Sequence, residues 1–214
     1  MNKPGIVILG GGAIGSVLAA ALAMQPGLEP LLVGRREHVR AIAERGLRVK
    51  GLLEEPVFLP AREAVDFALD NTLLAVTVKA VDLEASLRQL APYLRPTTSL
   101  LLLQNGYGIR ELAQKALGGL GVPDTNLFIG IVAMGATFIA PGEVASFGGN
   151  IRVEGELRAE AVKWQTQPCS ITLTLPRGST RSELSPSFAT SSRLPSAEKA
   201  SMSGSAPTPT LPVK

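Results

Sequence analysis

Three glycines near the amino terminus have the spacing G-x-G-x-x-G, at Gly10, Gly12 and Gly15. They separate the apolar run at residues 5–9 from a run of small residues. In a strand–turn–helix unit the first glycine permits the tight turn, the second lets the backbone approach a pyrophosphate, and the third lets helix and strand pack closely. Helix N–H groups and the positive end of the helix dipole would face the phosphates. We therefore predict that a dinucleotide binds at Gly10, Gly12, Ala13, Ile14 and Gly15; a purely structural turn is the alternative.

The residues after the second predicted strand indicate which dinucleotide binds. A site for NAD usually carries Asp or Glu about 20 residues further on, which binds the ribose 2′-hydroxyl. Here the strand that ends at Val33 continues as Gly34, Arg35 and Arg36, without a carboxylate. A guanidinium matches a 2′-phosphate in charge and in its fork of donors. NADPH is the predicted cofactor, with Arg35 as the first candidate and Arg36 as the second; a solvated basic turn is the alternative.

Two polar residues, Lys79 and Asn105, follow later predicted strands. Ligands of open α/β sheets bind beyond the carboxyl ends of the strands, so we expect both side chains near the nicotinamide end of the dinucleotide. Lys79 would hold a carboxylate or a ribose hydroxyl, and Asn105 would orient a polar substrate. An ordinary surface lysine and an Asn-Gly turn are the alternatives.

These residues need strands and helices to position them, and the hydrophobic pattern predicts such elements. Apolar runs alternate with helical stretches of about ten residues, which is typical of βαβ units and a parallel sheet. The predicted strands are residues 5–9, 30–33, 73–78 and 99–103, with weaker candidates at 47–49 and 57–59. The predicted helices are residues 13–24, 36–45, 83–93 and 108–117.

The pattern changes after Phe138. Residues 127–138 are predicted to be extended, and after a turn at 140–142 the stretches 144–147 and 151–153 are predicted as antiparallel strands at a sheet edge. The predicted fold class is α/β, a Rossmann-type doubly wound, mostly parallel sheet with antiparallel edge strands, within residues 1–160. Residues 161–214 are rich in Ser, Pro and Thr. They have little to bury against the entropy cost of ordering and are predicted to form a disordered tail.

Composition argues against several other classes of function. The 214-residue chain has a formal net charge of +3 with scattered Lys and Arg, so no nucleic-acid partner is predicted. The single cysteine, Cys169, excludes an intramolecular disulfide, and the single histidine, His38, argues against a zinc site or a Ser-His-Asp triad; no metal is predicted. The apolar run 5–24 resembles a signal peptide, but its early glycines favour a strand and turn. We expect a cytoplasmic protein without a membrane partner.

Together these segments resemble the ketopantoate reductase (2-dehydropantoate 2-reductase) family. The resemblance covers about residues 4–155 and depends most on the Lys79 and Asn105 segments, since many dehydrogenases share the glycine turn. The matching segments are residues 10–15, Arg35, 78–80, 104–108, 135–137, 141–144, Gly148 and Gly149.

The resemblance implies that the 2-keto group of ketopantoate is reduced to pantoate with NADPH, in pantothenate and coenzyme A biosynthesis. It implies that the glycine turn and Arg35 bind NADPH, that Lys79 lies beside cofactor and substrate, and that Asn105 contacts the substrate. Because hydride comes from the cofactor, the protein must position the ketone and protonate the developing alkoxide.

The resemblance ends where the family's second, all-helical domain should follow. That domain supplies the general-acid lysine, and Lys163 does not match it in spacing or context. The catalytic residue is therefore unassigned, and the sequence suggests the hypothesis of a truncated reading frame whose product is inactive on its own.

Two further functions stay open at this point. One is NADPH-dependent reduction of another 2-keto or 3-hydroxy acid, and the other is a non-catalytic NADPH-binding module. A small-molecule keto acid is the expected substrate, and exposed apolar surface would favour a homo-oligomer.

Overall fold

Apolar runs along the chain become the strands of one sheet in the computed structural model, which describes residues 4–153 and the backbone of 173–174. The strands are β1 Ile6–Leu9, β2 Leu31–Val33, β3 Arg48–Lys50, β4 Ala61–Arg62, β5 Leu73–Val76, β6 Ser99–Leu102, β7 Leu127–Ala140, β8 Glu143–Val153 and β9 Leu173–Thr174. The helices are α1 Ala13–Ala23, α2 Arg36–Arg45, α3 Leu83–Leu90 and α4 Ile109–Leu117. Apart from β9, the predicted tail at residues 161–214 lies outside the described residues.

Six strands run parallel in the order β4-β2-β1-β5-β6-β7. β1 pairs with β2 on one side and with β5 on the other, so the strand order reverses between β1 and β5. In doubly wound sheets this reversal opens a crevice beyond the carboxyl ends of the strands, where ligands bind. The predicted α/β class and the mostly parallel sheet are confirmed.

Successive strand residues enter two different apolar layers. Ile6 and Ile8 pack in the layer that contains α1, whereas Val7 packs in the layer that contains α3 and α4. Helix α1 has no charged residue and is buried along most of its length, because the sheet curls around it from β1 and β2 to β7 and β8. No helix in the described part of the chain, α1 included, is long and apolar enough to cross a membrane.

β7 and β8 form a long hairpin at one side of the sheet. β7 first pairs parallel with β6 and then antiparallel with β8, and the first residues of β8 pair parallel with β3. The stretches predicted at 144–147 and 151–153 are one strand. Gly148 and Gly149 take φ angles of 80° and 123° and carry the chain through a register shift without ending the pairing.

Some predicted boundaries differ from the structure. The predicted strand 57–59 contributes only a bridge between Leu47 and Val57, and the strand beside β2 is β4. Helix α3 ends at Leu90 rather than at residue 93, because Pro92 has no N–H group with which to continue the helical ladder. β5 ends at Val76, two residues early.

Candidate functional site

Gly10 and Gly15 are required by the packing of the turn itself. Gly10 has a φ of +116°, and a Cβ there would lie 2.8 Å from both Thr77 Oγ1 and Val78 N. A Cβ on Gly15 would collide with the Gly10 carbonyl oxygen and lie 2.5 Å from Thr77 Oγ1. Any larger residue at either position would therefore push α1 away from β1 and β5.

Gly12 has different surroundings, because apart from its chain neighbours no described residue lies within 4 Å of a Cβ built on it. It is the exposed N-cap of α1, and the first turn of that helix has neither a side-chain cap nor an acidic residue. The first N–H groups of a helix have no partner within the helix. The turn therefore offers both space and donors to a phosphate group.

Thr77 holds the glycine turn from the neighbouring strand. Its hydroxyl lies 2.7 Å from the Gly10 carbonyl oxygen and 3.1 Å from that of Leu9, and its N–H donates to the same Leu9 oxygen at 2.8 Å. Sequence analysis missed this residue. The sequence signal was a hydroxyl residue directly after an apolar run. This signal is weak, because hydroxyl residues are common in loops.

Arg35 and Arg36 follow β2 and begin α2. Arg35 is exposed and forms no ion pair with a described residue, whereas Arg36 binds the Glu63 carboxylate at 3.1 Å. Glu63 comes from the chain after β4, which pairs with β2. The tip of β2 itself has no carboxylate, but Glu63 lies near it in space and is paired with Arg36.

Lys79 and Asn105 occupy corresponding places on adjacent strands. Val76 of β5 pairs with Leu102 of β6, and each polar residue follows three positions later. Both residues are exposed, and Lys79 forms no ion pair with a described residue. The predicted positions after β1, β2, β5 and β6 thus share one edge of the sheet. Their contacts with ligands stay predictions.

The Asn105 amide already has protein partners. Its Nδ2 donates to the Val132 carbonyl oxygen at 3.0 Å, and its Oδ1 accepts from the Val132 N–H at 3.2 Å. These bonds continue the register in which Leu102 pairs with Ile129. Asn105 therefore positions β7 beyond the end of β6, and its amide keeps one hydrogen and one lone pair for another partner.

Gln104 fixes the chain that leads to Lys79. Its Nε2 donates to the carbonyl oxygens of Val76 and Val78, both at 2.9 Å, and the side chain is buried. Because both partners are acceptors, the amide has one possible orientation. Its Oε1 is buried without a partner among the described residues. Sequence analysis included Gln104 only as part of a matching segment.

His38 lies behind the glycine turn rather than in the open crevice. It is 2% exposed, and burial lowers the pKa of its imidazole below the usual 6.5. Among residues 4–153, no three His, Cys, Asp or Glu side chains come together as metal ligands would. His38 therefore belongs to the support of the turn.

The strand order and the glycine turn define a Rossmann-type α/β domain. Comparison with protein families identifies which family of Rossmann-type domains matches this chain. The model of the family Ketopantoate reductase PanE/ApbA matches residues 6–158. The chain belongs to this family of oxidoreductases, as its sequence predicted.

Individual relatives agree with this membership. A 2-dehydropantoate 2-reductase of Pyrococcus horikoshii is 34% identical over 150 residues, which cover 70% of this chain and 46% of that protein. The crystal structure of a PanE/ApbA family ketopantoate reductase from Ralstonia eutropha has a TM-score of 0.60 at 26% identity, covering 71% of this chain and 49% of that one. A ternary structure of D-mandelate dehydrogenase with NADH and anilino(oxo)acetate has a TM-score of 0.59 at 31% identity, covering 70% and 47%. The chain thus spans about half the length of the relatives it matches.

Proposed function

We propose that this chain binds NADPH and forms the cofactor-binding part of a reductase that converts 2-dehydropantoate to pantoate, in pantothenate and coenzyme A biosynthesis. One observation carries the proposal. The open, uncapped N-terminus of α1 at Gly12 and the cation of Arg35 lie beyond adjacent strands, β1 and β2. A pyrophosphate fits the first feature and a 2′-phosphate fits the second.

Different residues at the crevice would bind different parts of the cofactor and the substrate. The N–H groups of residues 12–15 would hold the pyrophosphate, and Arg35 would hold the 2′-phosphate with a bidentate fork. Lys79 would bind the substrate carboxylate or a ribose hydroxyl. The remaining amide hydrogen and lone pair of Asn105 would orient the substrate. NADPH supplies the hydride when it is bound. The proton for the developing alkoxide would come from a group outside residues 4–153.

A second candidate is the reduction of another 2-keto acid with NADH. The 31% identity to D-mandelate dehydrogenase, a protein described with NADH and anilino(oxo)acetate, favours it. The Glu63 carboxylate, which follows β4 beside β2, is the residue type that binds a ribose 2′-hydroxyl. It would serve NADH only if Arg36 released it.

Substitution of Arg35 tests the choice of cofactor. We expect Arg35→Ala to weaken NADPH binding by roughly 10- to 100-fold, because that is the typical loss of affinity when a hydrogen bond to a charged group is removed. NADH binding should stay nearly unchanged, because NADH has no 2′-phosphate. Arg40→Ala is the matched control, because it removes the same charge from an exposed position of α2, where Arg40 is paired with Glu44. Calorimetric titration of the full chain with each nucleotide supplies the dissociation constants.

Turnover assays on the same samples test the choice of substrate. Oxidation of NADPH by 2-dehydropantoate, and not by an aromatic 2-keto acid, would support the proposed reaction. The reverse preference would favour the second candidate. Tight NADPH binding without turnover of either acid would fit a cofactor-binding part whose proton donor lies outside residues 4–153 as well as a binding module. Equal binding of both nucleotides, unaffected by Arg35→Ala, would contradict the cofactor assignment.

A further inference from the structure

Three separate elements meet at the buried ring of His38. His38 Nδ1 accepts a hydrogen bond from the Gly142 N–H at 2.9 Å, in the turn between β7 and β8. Nδ1 of the neutral ring therefore carries no proton, so Nε2 carries it and donates to Ser16 Oγ of α1 at 2.9 Å. Ser16 is fully buried, and the Phe138 ring lies 5.0 Å from the imidazole. The two bonds use both nitrogens of the ring.

The same ring closes the contact between the glycine turn and the end of β2. A Cβ on Gly11 would lie 3.0 Å from the Gly34 Cα and 3.2 Å from His38 Cδ2, so the two backbones touch and the imidazole covers them. The N–H groups of Gly10 and Gly11 both donate to the Val33 carbonyl oxygen, at 3.0 and 2.9 Å. The turn that faces the pyrophosphate is therefore attached to the strand that precedes Arg35.

His38 also belongs to the same helical turn as Arg35. Arg35 is the N-cap of α2, and its carbonyl oxygen accepts the His38 N–H at 3.0 Å. The bond to Ser16, four residues after Gly12, reaches the first turn of α1 in the same way. His38 thus connects the start of α1 with the start of α2.

We propose that His38 is a positioning residue for NADPH, which fixes the spacing between the pyrophosphate site at the start of α1 and the 2′-phosphate site at Arg35. This inference rests on the proposed cofactor. A ligand that contacts both sites gains affinity when their spacing is set in advance, whereas a fragment that contacts only one site gains nothing from it. His38 touches neither phosphate and acts through the two helix starts.

The test compares NADPH with two fragments, ADP for the pyrophosphate site and adenosine 2′-monophosphate for the Arg35 site. We expect His38→Leu, which fills the space but forms neither hydrogen bond, to weaken NADPH binding about tenfold and each fragment less than twofold. His38→Gln should restore NADPH binding, because an amide both accepts and donates across a similar span. Ser16→Ala removes one of the two bonds and should give an intermediate loss.

The outcomes separate this inference from the cofactor proposal. Parallel losses for NADPH and both fragments, or no loss for any of them, would overturn the positioning role. Failure of the unsubstituted chain to bind NADPH would overturn the proposed function and this inference together. If His38→Leu does not fold, Ser16→Ala decides, and equal binding of NADPH by Ser16→Ala and the unsubstituted chain overturns the inference.

Discussion

Gly12 and Gly15 lie three residues apart in one turn, yet their surroundings assign them different roles. A side chain on Gly15 would meet the Gly10 carbonyl and Thr77, whereas one on Gly12 would enter open space. The protein itself therefore requires glycine at position 15, whereas at position 12 the proposed phosphate would be what requires it. The proposed nucleotide site accounts for the open space at Gly12, and a purely structural glycine turn does not call for it.

Alanine substitutions should show this difference directly. Gly15→Ala should lower the free energy of unfolding by about 1–3 kcal/mol through overpacking. Gly12→Ala should change it by less than about 1 kcal/mol, because loss of a favourable N-cap residue and reduced freedom of the unfolded chain oppose each other. NADPH binding should nevertheless fall with Gly12→Ala. Urea unfolding and nucleotide titration are the measurements, and unchanged NADPH binding by Gly12→Ala would count against a phosphate at this turn.

His38 should make folding stability depend on pH. Because burial lowers its pKa in the folded state, the unfolded chain binds more protons as the pH falls below 6.5. The stability contribution is therefore complete above pH 6.5 and is lost as the pH falls through the lowered folded-state value. The charged groups beside the Gly142 turn are Arg45, which binds the Pro141 carbonyl oxygen, and Glu143, which binds Lys50; burial alone lowers the pKa of His38.

The comparison of the unsubstituted chain with His38→Gln isolates this effect. Between about pH 7.5 and about pH 5.5 the free energy of unfolding should fall more for the unsubstituted chain, by no more than about 1.4 kcal/mol per pH unit. Glutamine forms comparable hydrogen bonds but does not titrate in this range. Identical pH profiles for the two proteins in urea unfolding would show that His38 is not the responsible group.

At the scale of elements, the border of the crevice depends on a side chain that continues the pairing between β6 and β7. β6 ends at Leu102, and the Asn105 amide then takes the place of a strand backbone beside Val132. β7 continues past this point to pair with β8. The strand that borders the crevice is thus held at its midpoint by a residue that is also a candidate substrate contact.

Substitution of Asn105 should loosen β7 locally. We expect Asn105→Ala to speed amide hydrogen exchange at Val132 while leaving Leu101 and Leu102 protected, because only the side-chain bonds are lost. Asn105→Asp is the informative partner variant: it still accepts from the Val132 N–H but places a carboxylate against the Val132 carbonyl. If exchange at Val132 is the same in all three proteins, Asn105 does not hold the strand.

For the whole domain, cofactor binding should be coupled to folding. The proposed site draws on the ends of β1, β2, β5 and β6, which come together only in the folded sheet. NADPH at 100 times its dissociation constant should therefore stabilise the fold by about 2.7 kcal/mol. Thermal unfolding with and without NADPH measures this. At the same NADPH concentration the stabilisation should shrink for Arg35→Ala and persist for Arg40→Ala; equal shifts in both would contradict the role given to Arg35.

Much of this fold follows from local sequence. The apolar runs, the glycine spacing and Gly46, the glycine that directly follows α2, identify β1, α1, β2 and α2 nearly to the residue, because strand and helix periodicity act over a few neighbouring positions. The weak segments were harder to place. Residues 57–59 have strand-like composition, but the strand forms at Ala61–Arg62, where β2 offers a partner.

The sequence by itself determined that a glycine turn, two arginines, a lysine and an asparagine follow successive strands, and hence that they share one edge of a parallel sheet. Only the tertiary structure decided their partners. Arg36 meets Glu63 and Asn105 meets Val132, each across 27 residues, and His38 meets Gly142 across 104. These contacts depend on strand order and on the curl of the sheet around α1, which no local preference specifies. For that reason the sequence showed only that the chain has a single histidine, whereas the structure shows that His38 connects the starts of α1 and α2.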